Sequence, residues 1–82
     1  GTSLDTLREM VSTGLGAALL PALYVRAQQL TKDRTLKVVP LVSKPLSRVV
    51  AMAWRQSSPR AQRFSELSTF VQGTIQKVIG PL

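Results

Sequence analysis

From Val49 to Trp54 the chain runs through six apolar residues with no turn former among them, and Arg48 and Arg55 flank the run like strand-end charges. A segment this short and this uniformly apolar reads as a strand buried on both faces. Such a strand is central in its sheet, so it needs a neighbour along each edge and helices over each face. Two other segments qualify as neighbours. Leu15 to Leu20 is small and apolar on both sides, bracketed by Gly14, Gly16 and Pro21, and also reads as buried on both faces. Leu36, Val38 and Val39 form the third strand, ending at Pro40. Eighty-two residues make at most one small domain, which buries only roughly 60–65% of its unfolded surface. Three strands and their connections do not supply all the neighbours and helices that a parallel sheet requires. The sequence looks like part of a larger α/β domain, and Gly1, in place of a starting Met, reads as an engineered, processed or truncated start.

Residues 2–14 carry a helix signature. Thr2 is placed to cap, with Asp5 three residues on, the spacing of a capping box. Leu4, Leu7 and Val11 follow at i, i+3 and i+7, and Met10 widens the stripe. Arg8 is spaced to pair with Asp5, and Gly14 supplies a left-handed stop. Pro21 at a first helical position opens a second helix through Gln29, with Ala22, Leu23 and Val25 on it. Thr31 to Arg34 is a polar connection, and Lys44-Pro45 begins a turn, since a residue before proline is pushed away from helix. Ser58 as cap and Pro59 at the first helical position open the last helix. There Phe64, Leu67, Val71, Ile75 and Val78 keep helical spacing until Gly80-Pro81 ends it. The order is α-β-α-β-β-α.

Eleven Lys and Arg against four Asp and Glu leave a net charge of +7. Nucleic acid and anionic membrane are the partners such a charge suggests first. The cations are dispersed from Arg8 to Lys77, with no consecutive basic run. Single-strand binders interleave aromatics with cations, whereas Trp54, the one tryptophan, sits in an apolar run and reads as core. A solvated basic surface is the better reading. Gly14 to Val25, the longest nearly apolar run, falls well short of the roughly 20 residues a spanning helix needs. Asp5, Glu9 and Pro21 also argue against a signal-peptide core. With no cysteine and no histidine, disulfides, thiolate chemistry, zinc sites and imidazole mechanisms are excluded. Four scattered carboxylates argue against an oxygen-ligated metal site. Catalysis is the weakest reading of this composition.

Few motifs carry chemistry. Thr2-Ser3 at a helix start offers hydroxyls and free backbone amides to an anion, although the same residues make an ordinary cap. Gly14-Leu15-Gly16 follows a helix and enters a strand, the reverse of the order a dinucleotide-binding fingerprint requires. A helix-turn-helix over residues 4–29 fails because Pro21 would fall inside an apolar recognition helix. Ser57 and Ser58 have no histidine to activate them.

The string Thr2-Ser3-Leu4-Asp5-Thr6-Leu7-Arg8-Glu9-Met10-Val11, continuing from Gly14 through Leu20-Pro21-Ala22-Leu23, resembles the late effector-domain segment of LysR-type transcriptional regulators. The OxyR-like branch is the nearest in pattern. A second match follows in order: Val49 to Arg55, then Ser57-Ser58-Pro59-Arg60, similar to the family's crossover strand and the start of its last helix. Phe64, Leu67 and the segment to Val71 resemble that helix. The resemblance implies a partial effector domain like the type II periplasmic binding proteins. Residues 1–46 would end the second lobe, 47–56 would cross over, and 57–82 would form the C-terminal helix of the first lobe. It implies effector contacts at Thr2 and Ser3, and a dimer interface at Leu4, Leu7, Arg8 and Val11. The implied parent is a cytoplasmic, non-enzymatic homo-oligomer that answers a small-molecule effector or redox signal. It would meet promoter DNA through a domain absent from this chain, with no cofactor, no metal and no membrane partner. The redox cysteines of the OxyR branch would lie outside it as well. An independent basic nucleic-acid-binding module, or a structural oligomerisation fragment without a ligand, stands as the alternative.

Overall fold

A computed structural model describes residues 3–41 and 50–79, so the Thr2 cap, the Lys44-Pro45 turn, Val49 and the Gly80-Pro81 stop lie outside the described residues. The first helix, α1 (Ser3–Ser12), ends as its sequence requires. Gly14 takes a φ of +83°, a left-handed conformation that costs glycine nothing. Its amide donates to the Val11 carbonyl and the Leu15 amide to that of Met10, the paired bonds of a Schellman stop. Because this turn consumes Leu15, strand β1 covers only Ala18–Pro21 rather than starting at Leu15.

Pro21 is the last residue of β1, and helix α2 (Ala22–Ala27) begins one position later than expected. Proline is tolerated there because β1 is an edge strand, where a missing amide breaks no ladder on the open side. The helix also stops early. Gln29 adopts a φ of 53°, diverting the chain into a 3₁₀ turn at Leu30–Lys32. Strand β2 (Leu36–Pro40) and strand β3 (Val50–Arg55) follow. Before the last helix the Ser58 hydroxyl accepts the Arg60 amide at 3.1 Å, and the Ala61 amide donates to the Ser58 carbonyl. Ser58 therefore does open this helix, but Pro59 lies in the entry turn, and regular α3 spans Ala61–Ile79.

The sheet order is β1-β3-β2, so β3 is central as its composition demands. Both pairings are antiparallel, with Ala18 opposite Ala53 and Leu36 opposite Arg55. The parallel sheet implied by the buried runs is not formed. Strand β3 inserts between β1 and β2 and runs against both of them. Alternation along β3 serves two cores. Ala51 and Ala53 join Val11, Leu20, Val25, Leu30 and Leu36 under α1 and α2. Met52 and Trp54 join Leu41 under α3, which contributes Phe64, Val71 and Ile75 from its inner side. The Trp54 and Phe64 rings meet at a tilted 6.2 Å between centroids, within the range where aromatic pairs attract beyond their buried area. The described part is thus a three-layer α/β/α arrangement. Strand β1 departs from the expectation of burial on both faces, since Leu19 is 58% exposed on the α3 side.

Candidate functional site

The residues expected to meet an effector are Thr2 and Ser3. Thr2 lies outside the described residues, and Ser3 is placed only as the first residue of the helix. The four expected interface residues diverge in their surroundings. Val11 is 3% exposed and belongs to the first core, while Leu4 and Leu7 pack against that core and stay half-buried. Arg8 is also half-buried, and its buried Nε has no hydrogen-bond partner among the described residues. The apolar stripe of α1 therefore closes its own chain's core first. Of the four, Arg8, Leu4 and Leu7 stay partly accessible and form a rim beside Asp5, Thr6, Glu9 and Met10, which are exposed residues of α1.

Around that rim, polar groups tie α1 to the rest of the fold. The Tyr24 hydroxyl of α2 donates to Asp5 Oδ1 at 2.7 Å. Asp5 is thus held across the helix pair by Tyr24 rather than by the i, i+3 partner Arg8 that its spacing suggested. That hydrogen bond raises the Tyr24 pKa above its usual value, with burial and the Asp5 charge adding and the Arg8 charge opposing. Asp33 accepts the Thr35 hydroxyl at 2.6 Å and the Thr35 amide at 2.9 Å. Those two bonds, the hydroxyl's first, lower its pKa below the ordinary carboxylate value, and the nearby Arg8 and Arg55 charges act in the same direction.

Arg55 forms the longest tie. From the end of β3 it donates through Nε to the Ser57 hydroxyl at 2.8 Å and through a terminal nitrogen to the Ser12 carbonyl. Ser12 ends α1, so a cation meets the negative end of the helix dipole and satisfies a carbonyl there. The Arg55 Cδ lies 3.7 Å from where a Cβ on Gly14 would stand, which places the arginine stem along the α1 stop. In the sequence Arg55 reads as a strand-end charge. Its partner is 43 residues away, and only the adjacency of a lone cation to a buried strand hinted at a fixed role.

Two depressions accompany this arrangement. One of about 260 Å³ lies between α2, the 3₁₀ turn and β2, lined by Val25, Arg26, Thr31, Val38 and Pro40 among others. The other, about 140 Å³, sits at the C-terminal end of α1 against Met10, Val11, Leu15 and Ala17. Neither reaches the first turn of α1 among the described residues. No group of three or more acidic, cysteine or histidine side chains is placed to hold a metal among the described residues. No helix described is long and apolar enough to cross a membrane.

Comparison with known proteins gives one answer. Residues 1–75 match the model of the LysR substrate binding domain. A hydrogen peroxide-inducible genes activator of Haemophilus influenzae is 31% identical over 81 residues, covering 99% of this chain and 26% of that protein. The DNA-binding transcriptional dual regulator OxyR of Escherichia coli K12 is 34% identical over 71 residues, covering 87% of this chain and 23% of its own length. A hydrogen peroxide-inducible genes activator of Dickeya chrysanthemi is 36% identical over 75 residues, 92% of this chain and 24% of that protein. The chain thus spans about a quarter of the length of the curated relatives it matches. No solved structure is a significant match. The family model covers the α1 stop, the central strand and most of α3, and on that match the chain belongs to the LysR substrate-binding domain family.

Proposed function

We propose that this chain is the regulatory part of a LysR-type, OxyR-like transcriptional regulator, contributing an effector-cleft wall, a crossover strand and a subunit-contact helix. In this reading residues 1–46 end the second lobe, 47–56 cross over, and 57–82 supply the C-terminal helix of the first lobe. Thr2 and Ser3 meet the effector at the positive end of α1, a site suited to an anionic group. Leu4, Leu7, Arg8 and Val11 belong to the helix that faces a second subunit, with Arg8 and the accessible edges of the two leucines making the contact. Promoter DNA is read by a part of the parent outside this chain. With no cysteine here, any thiol that senses a redox signal sits outside it too. No catalytic group is invoked.

The observation that carries this reading is the Arg55 tie. It joins the C-terminal end of the effector-facing helix to the end of the crossover strand. A signal arriving at the start of α1 then has a stiff path to the strand that links the lobes. An effector that favours one lobe arrangement shifts the population toward it by its differential affinity.

The test uses the intact parent regulator. Thr2→Ala with Ser3→Ala should weaken the effector dose response more than it lowers stability, since a lost cap costs about 1 kcal/mol. An unchanged dose response would remove Thr2 and Ser3 from the cleft. A specific nanomolar DNA footprint made by the 82-residue chain alone would instead favour an independent nucleic-acid-binding module.

A further inference from the structure

Asp5 stands in the first turn of α1, three residues after Thr2. A carboxylate at that position ordinarily turns back to the unpaired backbone amides that open its own helix. In this fold its Oδ1 is committed elsewhere, to the Tyr24 hydroxyl at 2.7 Å, across 19 residues of sequence. Tyr24 is well placed to hold it. The residue belongs to α2, and its ring packs against the first core, as do Leu4 and Leu7 of α1. The bond leaves its mark on the donor, since the Tyr24 hydroxyl releases its proton less readily than a free tyrosine, chiefly through Asp5. The effect on α1 is directional. A carboxylate drawn toward α2 is drawn away from the helix start, where the dipole and the unpaired amides would otherwise attract it.

We propose that Tyr24 is a positioning residue for anion binding at the start of α1: by holding Asp5 toward α2, it keeps that carboxylate from competing for the amides an anionic effector would take. The proposal rests on the effector reading of Thr2 and Ser3, and adds what keeps that site open. Two anions compete for one positive helix end. The carboxylate of Asp5 is tethered to the helix and always present, whereas the effector arrives from solution. The tethered group therefore wins unless another donor occupies it. Tyr24 supplies that donor without a positive charge, so it redirects Asp5 and adds no cation of its own. Arg8 is the rival partner for Asp5 by its spacing on α1, yet the bond formed is the one to Tyr24. Attraction of a carboxylate to a helix start amounts to about twofold to fivefold in an equilibrium constant, which sets the size of the effect.

The test titrates the 82-residue chain with inorganic sulfate at constant ionic strength, following the backbone amide resonances of residues 2–5. Tyr24→Phe keeps the ring in the core and removes only the hydroxyl. It should weaken sulfate binding about twofold to fivefold, with helicity by circular dichroism unchanged. Adding Asp5→Asn to Tyr24→Phe should restore the affinity to at least that of the unaltered chain, because no carboxylate is left to turn back. Equal weakening in Tyr24→Phe with and without Asp5→Asn would overturn the proposal, since Tyr24 would then act by bracing the helices. Thr2→Ala with Ser3→Ala separates the two readings. If that pair weakens sulfate binding and Tyr24→Phe does not, Tyr24 has no positioning role and the effector site stands. If that pair leaves sulfate binding unchanged, the effector site falls and the role of Tyr24 falls with it.

Discussion

The two faces of the sheet draw on alternate residues of one strand, β3, yet they are closed by different means. Under α1 and α2, two helices cover the small side chains Ala51 and Ala53. Hydrogen bonds from Tyr24 to Asp5 and from Arg55 to Ser12 then hold that layer in place. Under α3, one helix covers Met52 and Trp54, and the larger side chains do most of the filling. The polar tie resolved there is weaker in kind, a single Gln72 amide donating to the Pro40 carbonyl at 2.7 Å. The difference teaches that a strand buried on both faces does not require equal layers. Small residues call for close helices that must be tethered, and large ones let a single helix suffice at the expense of uncovered apolar surface.

The sharpest way to break this comparison is to remove volume from each core. Leu20 and Leu30 are fully buried on the tethered side, so Leu30→Ala should cost about 2–5 kcal/mol in denaturant unfolding. Ile75→Ala on the α3 side removes a half-buried group and should cost about 1–2 kcal/mol, because its site begins partly hydrated. Equal losses would mean that the two layers are equally closed.

A second change separates tethering from packing. Arg55→Met keeps a long stem along Gly14 but removes the donor to Ser12, and should lower stability by about 1–3 kcal/mol. Hydrogen exchange should accelerate in α1 and stay unchanged in α3. Uniform acceleration in both helices would show that Arg55 acts on the whole fold.

The smallest effect is in pH. The folded-state pKa of Asp33 is lowered, so the stability it contributes is present above its unfolded value near 3.8 and fades as pH falls through the folded value. The Tyr24 pKa is raised, so its contribution is present below 10.0 and is lost as pH rises through the folded value. Asp33→Asn should flatten the acid limb of a stability profile, and Tyr24→Phe the alkaline limb. Both limbs belong to the tethered side, and neither should alter hydrogen exchange in α3.

What the sequence made legible was local. Gly14 announced the α1 stop, Ser58-Pro59 announced the α3 entry, and the apolar run ending at Trp54 announced the central strand, each within a few residues of its cause. Antiparallel pairing was not legible, because it depends on β3 inserting between two strands that precede it in the chain. Leu19 read as buried only while its strand was taken to have covers on both sides. Gln29 ended α2 early in a left-handed conformation that a glutamine does not advertise. The ties of Arg55 and Tyr24 join residues 43 and 19 positions apart, a range over which no pattern in one sequence speaks. The proposed effector contacts Thr2 and Ser3 came from the resemblance of their motif to the family and not from any periodic pattern.

The strand order has a consequence in time. Ala18 pairs with Ala53 and Leu36 with Arg55, so neither outer strand has a partner until β3 has been synthesised. The β1–β3 contact closes the longer loop, whose entropy must be lost before pairing repays it. During synthesis Leu20, Leu30 and Leu36 emerge before the strand that completes their sheet. A chain stalled before Val50 leaves those apolar residues without the strand that pairs β1 and β2, the kind of exposed surface on which chaperones and aggregation act.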